Sequence, residues 1–480
     1  MRFKPLLGCC VVLWATVSVV WAQPAPCHCP DNLQQLVAST EANYAGYPTK
    51  IRGAAHTRYQ ALLLQLRRQA ATAATARQCY EVLKAYVRFF YDKHFVLSFA
   101  WQAPEPPEQR PIEEWRRLLA RAPAHSPEGI WQDADSSLQL AIRYTHADTL
   151  KAVVLWAADT SLRPGMRYAT LSRRGTGWVA QEHHSLMTTD VPAAQRGQLL
   201  QIWYHSLFAK QYPTRLSAAE SEELATWRQG NNGLAFRQLS ARTAYLRIPT
   251  FIRNDDKVLA LIQQHDAAIR QSEFLIIDLR SNGGGNTGWV PLLPYLMTQP
   301  IRQYSTYLRV SPANVQAKLA DLEPFATAPI PDEYKKYFPD STLAAYKKAY
   351  RELPTTRQAF YPIPGVSFPL DSVLVRPRRV AVLVDEWCGS STEYFFSLLR
   401  QSGKVVTYGA PTIGMMDYEG MSIPTPMPYA GFVVAIPIVK SSWTDRAPID
   451  KTGFRPTRLL THLSDRRQWV DAVRKDLEKQ

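Results

Sequence analysis

The chain has 480 residues, enough for several domains, and 46% of them are hydrophobic, as in a folded protein. Its 56 lysines and arginines outnumber its 41 aspartates and glutamates, which gives a formal net charge of +15. The basic residues are scattered, with short clusters at Arg67-Arg68, Arg173-Arg174 and 376–379, and no recognition helix or aromatic-interleaved basic motif accompanies them. The pattern argues against a nucleic-acid partner and favours anionic surfaces or acidic peptides.

The first 22 residues have the pattern of a cleavable signal peptide. Basic Arg2 and Lys4 precede an apolar stretch from Leu6 to Trp21, and the small residue Ala22 follows it. No later stretch approaches the roughly 18 apolar residues that a transmembrane helix needs. The sequence therefore predicts an exported protein, periplasmic or secreted, without a transmembrane segment.

Two regions are predicted before the central part of the chain. Residues 23–112 have helical periodicity and form a predicted N-terminal helical region that carries His94. Residues 103–111 are rich in proline and glutamate, which is typical of a linker. From 126 to 232, short alternating runs separated by turn signals predict a small β domain.

Residues 236–463 are predicted to form an α/β core, and its most informative segment is Phe274–Gly285. An apolar run broken by Asp278 is typical of a strand that is covered on both faces, as in parallel sheets. The three glycines 283–285 then allow φ > 0 and a close approach of the backbone to a ligand. Their N–H groups suit a carboxylate, a phosphate or an oxyanion. A glycine-rich turn that opens a helix is the alternative interpretation.

A second segment, Val380–Gly414, has the order strand, turn, helix, strand. Its predicted helix covers Ser391–Gln401 and begins beside Ser390. A hydroxyl there benefits from the positive end of the helix dipole, which stabilises an alkoxide or an oxyanion. Ser390 and Glu393 also fit a capping box, in which the serine only caps the helix.

Two further regions complete the predicted organisation. Residues 300–372, between the two segments, are rich in tyrosine, proline and lysine and are predicted to form a helical lid over a cleft. Residues 464–480 are predicted to form a C-terminal helix.

Together the two core segments resemble those of the S41 peptidase family, which includes the carboxy-terminal processing proteases, the tricorn protease core and a retinoid-binding protein of the retina. Asp278–Gly285 is similar to the family's oxyanion-hole element, and Ser390 lies three residues before a glutamate, as the family's nucleophile does. The similarity continues through Thr407–Gly414 and Ile449–Pro456. The resemblance implies a crotonase-like (ClpP/crotonase-type) α/β fold with Ser390 as nucleophile, and Ser391 is the less favoured neighbour.

The resemblance also implies how the oxyanion is stabilised. Backbone N–H groups near Gly283 or Gly284, together with that of Ser391, are expected to form the oxyanion hole. No metal and no organic cofactor is implied. The His183-His184 pair lacks a further ligand motif and is expected to be a solvated turn.

The general base is implied by the branch of the family that the chain resembles. Met415 stands where the processing proteases have a lysine, and a thioether cannot accept a proton. The tricorn-like branch uses an upstream histidine in a D-x-H element, which Tyr91–Phe99 resembles. The resemblance thus implies His94 as the base, a residue type that takes up and returns a proton near neutral pH. Alternatively, His94 merely ends a helix.

An acidic partner for His94 is implied by the closing motif of the same branch. Asp450, Gly453 and Pro456 have the spacing of that motif, with aspartate in place of glutamate. Asp450 is therefore expected to orient His94. Asp417 and Glu419 are alternatives, and Asp450 could instead belong to a surface turn.

The cysteines left after removal of the signal peptide predict one disulfide. Cys27 and Cys29 lie beside a predicted helix and Cys79 opens another, so one of the first two is expected to bridge to Cys79. Cys388 is expected to be a free buried thiol.

The function expected from these motifs is that of an exported serine endopeptidase that hydrolyses peptide bonds in proteins or peptides. Its activity would depend on a Ser-His-acid arrangement and an oxyanion hole of glycine backbone. The alternative is a non-catalytic protein of the same fold that binds apolar ligands or peptides. No PDZ loop for a peptide carboxylate is evident between the helical region and the core, although many family members carry one.

Overall fold

The computed structural model describes residues 26–479 except 101–106, 176, 184–185, 331–334, 336–337 and 421–423. The predicted signal peptide, residues 103–106 of the predicted linker at 103–111, and His184 lie outside the described residues. Within the described part of the chain, no helix is long and apolar enough to cross a membrane.

The N-terminal part is a group of packed helices. They are α1 (Cys29–Asn43), α2 (Tyr47–Lys50), α3 (Ala54–Thr72) and α4 (Ala76–Phe89), and the strand β1 (Val96–Phe99) follows them. Helix α4 begins at a capping box in which Thr75 Oγ1 accepts a hydrogen bond from Gln78 N at 3.2 Å. Its apolar side chains share one face, and buried tyrosines such as Tyr59 and Tyr86 fill the space between α3 and α4.

The next part is a closed β-barrel. It follows α5 (Ile112–Leu119) and contains β2 (Gly129–Asp133), β3 (Leu138–His146), β4 (Thr149–Ala157), β5 (Arg167–Arg174), β6 (Gly177–Glu182), β7 (Leu186–Met187), β8 (Val191–Arg196), β9 (Leu199–Ile202) and β10 (Ser206–Tyr212), before α6 (Ala218–Ala225). All of these strands except β7 close the barrel, in the order β10-β2-β3-β4-β5-β6-β8-β9. Inward side chains such as Trp131 and Phe208 fill the interior.

The core begins with an antiparallel edge strand and continues as a parallel sheet. Its first elements are β11 (Ala235–Gln238), β12 (Thr243–Arg247), α7 (Asp255–Gln271) and β13 (Phe274–Asp278). All five residues of β13 are buried. Leu275 and Ile277 pack on one side of the sheet, whereas Phe274 and Ile276 pack on the other, as expected for a strand covered on both faces.

A long excursion separates this strand from the next strand of the sheet. It contains α8 (Leu293–Leu296), β14 (Ile301–Arg302), β15 (Thr306–Arg309), α9 (Pro312–Thr327), α10 (Asp340–Glu352), β16 (Phe360–Ile363) and β17 (Ser367–Phe368). Helices α9 and α10 pack over β15 and β16 around Leu308 and Tyr346.

The remaining elements complete three sheets. They are β18 (Arg379–Val384), α11 (Ser391–Leu398), β19 (Val405–Gly409), β20 (Tyr418–Glu419), β21 (Phe432–Ala435), β22 (Val439–Ser441), β23 (Arg458–Leu459) and α12 (Trp469–Glu478). The central sheet has the order β11-β12-β13-β18-β19-β23, and a four-stranded sheet has the order β16-β15-β22-β20. In the three-stranded sheet β21-β1-β7, β1 brings the N-terminal part against the core and the barrel segment.

The register of the central sheet brings its two loop regions together. Strands β13 and β18 run parallel, with Asp278 opposite Leu383. Their carboxyl ends therefore meet at one edge, the usual location of a site in an α/β sheet. The loop with the three glycines and the turn before Ser390 both begin at this edge.

Candidate active site

Ser390 occupies a sharp turn between β18 and α11. Its backbone has φ 51° and ψ −124°, a conformation that residues with a side chain rarely adopt and that costs on the order of 1–3 kcal/mol. The side chain makes no capping hydrogen bond to the helix. The capping-box interpretation is therefore wrong, and the hydroxyl is directed elsewhere.

Glu393, the other member of the supposed capping box, turns away from Ser390. Its buried carboxylate accepts hydrogen bonds from Thr412 Oγ1 at 2.5 Å, Gly414 N at 2.7 Å and Met415 N at 2.6 Å. Glu393 thus fixes the loop that follows β19 next to the nucleophile turn.

The hydroxyl of Ser390 meets His94. The distance from Ser390 Oγ to His94 Nε2 is 3.0 Å, and the histidine is 5% exposed. The other ring nitrogen, Nδ1, lies 2.7 Å from the carbonyl oxygen of Tyr418. A carbonyl oxygen can only accept, so Nδ1 carries the hydrogen of the neutral ring and Nε2 is free to accept the serine proton.

The backbone before His94 is also fixed. The buried Asp92 carboxylate accepts a hydrogen bond from His94 N at 2.9 Å and another from Tyr44 OH at 2.7 Å. The neighbouring Lys93 donates to the carbonyl oxygens of Gly414 and Asp450, at 2.9 and 2.8 Å. Lys93 thus binds the segment that carries the histidine to the core, and Asp92 fixes it within the helical region.

Asp450 does not contact the ring of His94. Its carboxylate forms an ion pair with Lys50 of α2, and its backbone N donates to Asp417 Oδ2 at 2.8 Å. The prediction that Asp450 orients His94 directly is not supported by this geometry, because the carbonyl of Tyr418 occupies the position of the acidic partner.

The alternatives Asp417 and Glu419 flank that carbonyl in sequence, but neither side chain hydrogen-bonds His94. Asp417 is fully buried, and its Oδ2 also accepts from Ile449 N at 2.7 Å. Burial and the adjacent Asp450 carboxylate raise the pKa of Asp417 to about 7.

Three carboxylates lie near the imidazole, but the hydrogen-bond partner of its Nδ1 is the carbonyl of Tyr418. Burial raises the pKa of Asp92, Glu393 and Glu419, and positive charge on His94 opposes that rise in each case.

The predicted oxyanion donors lie beside Ser390 but differ in their availability. Gly284 N donates to Asn282 Oδ1 at 2.9 Å and is therefore occupied. In the described part of the chain, the N–H groups of Gly283 and Ser391 have no hydrogen-bond partner. At Gly284, with φ +101°, a Cβ would come within 2.7 Å of Ser390 Cβ, so only glycine allows this approach.

Sequence reasoning did not identify several residues that the structure brings to the site. The role of Tyr418 is played by its backbone, which any residue type provides, so no sequence signal marks it. Lys50 and Lys93 are ordinary lysines of a helical region. Asp92 could have been found, since it is the acid of the D-x-H element that includes His94.

The structure also bears on metal and cysteine predictions. Among the described residues, no group of three or more His, Cys, Asp or Glu side chains could hold a metal ion. His183 Nε2 lies 2.9 Å from Thr170 Oγ1 of the barrel. The predicted disulfide is confirmed as Cys29–Cys79, and Cys388 is a buried free thiol that donates to Leu279 O at 2.9 Å.

Comparisons with known proteins relate this chain to peptidases. Residues 242–459 match the model of Peptidase family S41. The structure of mature CPAF complexed with lactacystin is 13% identical, with a TM-score of 0.50, over 90% of this chain and 94% of that chain. No curated protein sequence matches the chain significantly.

Two further solved structures have a comparable sequence identity to this chain and lower TM-scores. The photosystem II D1 C-terminal processing protease is 14% identical, with a TM-score of 0.37, over 90% of this chain and 92% of that chain. The tricorn protease is 13% identical, with a TM-score of 0.39, over 94% of this chain and 37% of that chain. With the family match, the CPAF similarity confirms the predicted α/β fold with a helical N-terminal region.

Proposed function

We propose that the protein is an exported endopeptidase with Ser390 as nucleophile and His94 as general base. Its residues 242–459 belong to peptidase family S41, and the protein is a serine peptidase. The observation that carries the proposal is the hydrogen bond of 3.0 Å between Ser390 Oγ and His94 Nε2. A proton can pass directly between these atoms.

The first half of the proposed reaction forms an acyl-enzyme. Ser390 Oγ attacks the carbonyl carbon of the peptide bond while its proton moves to His94 Nε2. The C–N bond then breaks, and His94 returns the proton to the leaving amine. In the second half, His94 takes a proton from water, the hydroxide attacks the ester, and Ser390 regains its proton as the acid leaves.

The oxyanion of each tetrahedral intermediate is proposed to bind the free N–H groups of Gly283 and Ser391. Gly283 precedes Gly284, whose backbone approaches Ser390. Ser391 follows Ser390 directly and is the first residue of α11, where the helix dipole favours negative charge. Gly284 is assigned a different role: it lets the glycine loop approach Ser390.

His94 is proposed to be oriented by the Tyr418 carbonyl, and Asp450 acts through other groups. The Lys50–Asp450 ion pair and the bonds from Lys93 join the histidine segment to the core. Asp450 is thus a positioning residue in this proposal.

The proposed export rests on the disulfide. Cys29–Cys79 joins α1 to α4, and such bonds persist in oxidising compartments outside the cytosol. A peptide or protein is the substrate implied by the family.

A fluorophosphonate probe and an unfolded protein substrate test the proposal. The probe should modify Ser390 in the purified wild-type protein, as mapped by mass spectrometry. Ser390→Ala should lose labelling and reduce turnover of unfolded casein by about 10³-fold or more, without loss of fold. Casein hydrolysis that is unchanged in this variant would exclude Ser390 as the nucleophile.

Ser217 offers a matched control for the capping interpretation. It begins α6 in a complete capping box, with Ser217 Oγ accepting from Glu220 N at 3.3 Å. Ser217→Ala should lower the stability of the fold by about 1 kcal/mol without loss of peptidase activity. Ser390→Ala should show the opposite pattern.

A further inference from the structure

The turn between β9 and β10 connects the barrel to the candidate active site. It consists of Trp203, Tyr204 and His205. The indole Nε1 of Trp203 donates to the carbonyl oxygen of Trp387 at 2.9 Å, three residues before Ser390. Trp203 is 7% exposed, and its ring packs edge-on against that of Tyr204, with centroids 4.9 Å apart. The barrel therefore holds Tyr204 at the edge of the nucleophile turn.

Tyr204 lies against the backbone of Gly283. A Cβ placed on Gly283 would be 2.4 Å from Tyr204 Cδ1 and 2.7 Å from Trp203 Cε2, so the two rings occupy the space that a side chain would need. Gly283 also carries one of the free N–H groups proposed for the oxyanion. The ring of Tyr204 thus borders the position at which the substrate carbonyl would bind.

An exposed aliphatic side chain and a carboxylate belong to the neighbourhood of Tyr204 and the glycine loop. The backbone of Ile252 packs on Gly285 of the same glycine loop, and its side chain is 40% exposed. The nearby carboxylate of Glu182 is engaged within the barrel by Tyr168 OH at 3.3 Å and His205 Nε2 at 3.2 Å. With Glu182 bound by barrel side chains, the apolar groups here are the ring of Tyr204 and the exposed side chain of Ile252.

We infer that Tyr204 of the barrel selects peptides with an apolar, preferably aromatic, side chain on the residue that contributes the scissile carbonyl. This inference rests on the proposed function. A carbonyl bound to Gly283 N–H has the side chain of its own residue only a few bonds away, so that side chain lies near the Tyr204 ring. Aromatic pairs and buried apolar surface favour such a side chain over a small or charged one.

The preference for that residue is the measurement that tests the inference. Two quenched peptides that differ only in phenylalanine or alanine at this position would be compared by kcat/KM. Wild type should prefer phenylalanine, and Tyr204→Ala should reduce the ratio by roughly 10-fold, within the range of a truncated apolar pocket. Tyr204→Phe, which keeps the ring, should retain the ratio within about twofold.

An aromatic residue elsewhere on the barrel provides the control. Trp156 in β4 is 49% exposed, and Trp156→Ala should leave the ratio unchanged. If Tyr204→Ala fails to fold, Tyr204→Leu, which keeps an apolar side chain but no ring, should still reduce the ratio. An unchanged ratio in a folded Tyr204 variant that lacks the ring overturns the inference, as does a wild-type preference for alanine.

The same assays separate the two proposals. Fluorophosphonate labelling of Ser390 in wild type tests the nucleophile independently of the substrate. Failure of labelling would remove the proposed function and this inference together. Labelling of Ser390 with an unchanged preference in the ring-deletion variants would remove the inference alone.

Discussion

The proposed nucleophile and the proposed base come from two regions that are built in different ways. Ser390 and the glycine loop follow adjacent parallel strands, and the register of β13 and β18 sets their separation. His94 follows a group of helices nearly 300 residues earlier in the chain and reaches Ser390 only because those helices dock on the core. The proposed catalytic pair thus combines a residue at the edge of the sheet with a residue on a docked segment.

The docking of the helical region depends on a few specific contacts. Strand β1, directly after His94, pairs with β21 of the core, and the Lys50–Asp450 ion pair joins α2 to the loop near Tyr418. Because catalysis is sensitive to displacements of about 1 Å, loss of these contacts should affect activity before it affects the sheet. The difference between the two regions therefore predicts which substitutions change chemistry and which change alignment.

Removal of the proposed base should have the largest effect on activity, as large as removal of Ser390 from the other region. His94→Ala should reduce kcat/KM for an unfolded protein substrate by about 10³-fold or more, because His94 is the one described residue within hydrogen-bond distance that can take the Ser390 proton. The double variant with Ser390→Ala should lose no more than either single variant. His56→Ala, in the exposed part of α3, serves as the control and should be fully active. A His94→Ala protein that keeps a tenth of the activity would contradict the assignment.

The sheet-edge region was largely predictable from sequence because its signals are local. The apolar run of β13 and the three glycines identify a buried strand and a close backbone approach. The strand-turn-helix order around Ser390 also follows from apolar spacing, and α11 begins at the predicted residue, Ser391.

The rest could not be predicted because it depends on the fold. The N–H of Gly284 is taken up by Asn282 two residues earlier, which depends on the conformation of the loop. The partner of His94 Nδ1 is a backbone carbonyl, and Asp450 has Lys50 as its partner across 400 residues. The alternation in the barrel segment predicted strands, but the packing of its turn on Gly283 depends on where the closed barrel lies.

Removal of the disulfide should test how firmly the helical region is held. Cys29 and Cys79 are 50 residues apart, and cross-linking a loop of this length stabilises a fold by up to about 4 kcal/mol. The Cys29→Ser/Cys79→Ser double variant should therefore unfold its helices at a lower denaturant concentration and lose on the order of 10-fold in kcat. Far-ultraviolet circular dichroism and kinetics measure the two effects. Cys27→Ser, which removes a free thiol of the same segment, should match wild type. Equal stability of double variant and wild type would show that the helices dock without the bridge.

A substitution where the two regions meet should have the smallest effect, and that effect on stability should depend on pH. Asp417 lies beside Asp450 with its Oδ1 buried and, among the described residues, without a hydrogen-bond partner. Burial and the Asp450 carboxylate raise the pKa of Asp417 above its ordinary value, to about 7. A group whose pKa is raised by folding stabilises the fold at low pH, and this contribution is lost as the pH rises through the folded value.

Asp417→Asn should remove the loss of stability that accompanies a rise in pH. In this variant the amide oxygen can still accept from the N–H groups of Ile449 and Asp450. The NH₂ group of the amide replaces a carboxylate oxygen that the charge of Asp450 repels. Relative to wild type, the variant should gain about 1–3 kcal/mol in free energy of unfolding between pH 4.5 and 8, since each unit of pKa shift corresponds to roughly 1.4 kcal/mol. Calorimetry at both pH values measures the difference, with Asp148→Asn on an exposed barrel hairpin as the control. A variant that is destabilised equally at both pH values would show that the Asp417 carboxylate acts at this junction through its hydrogen bonds and not through its charge.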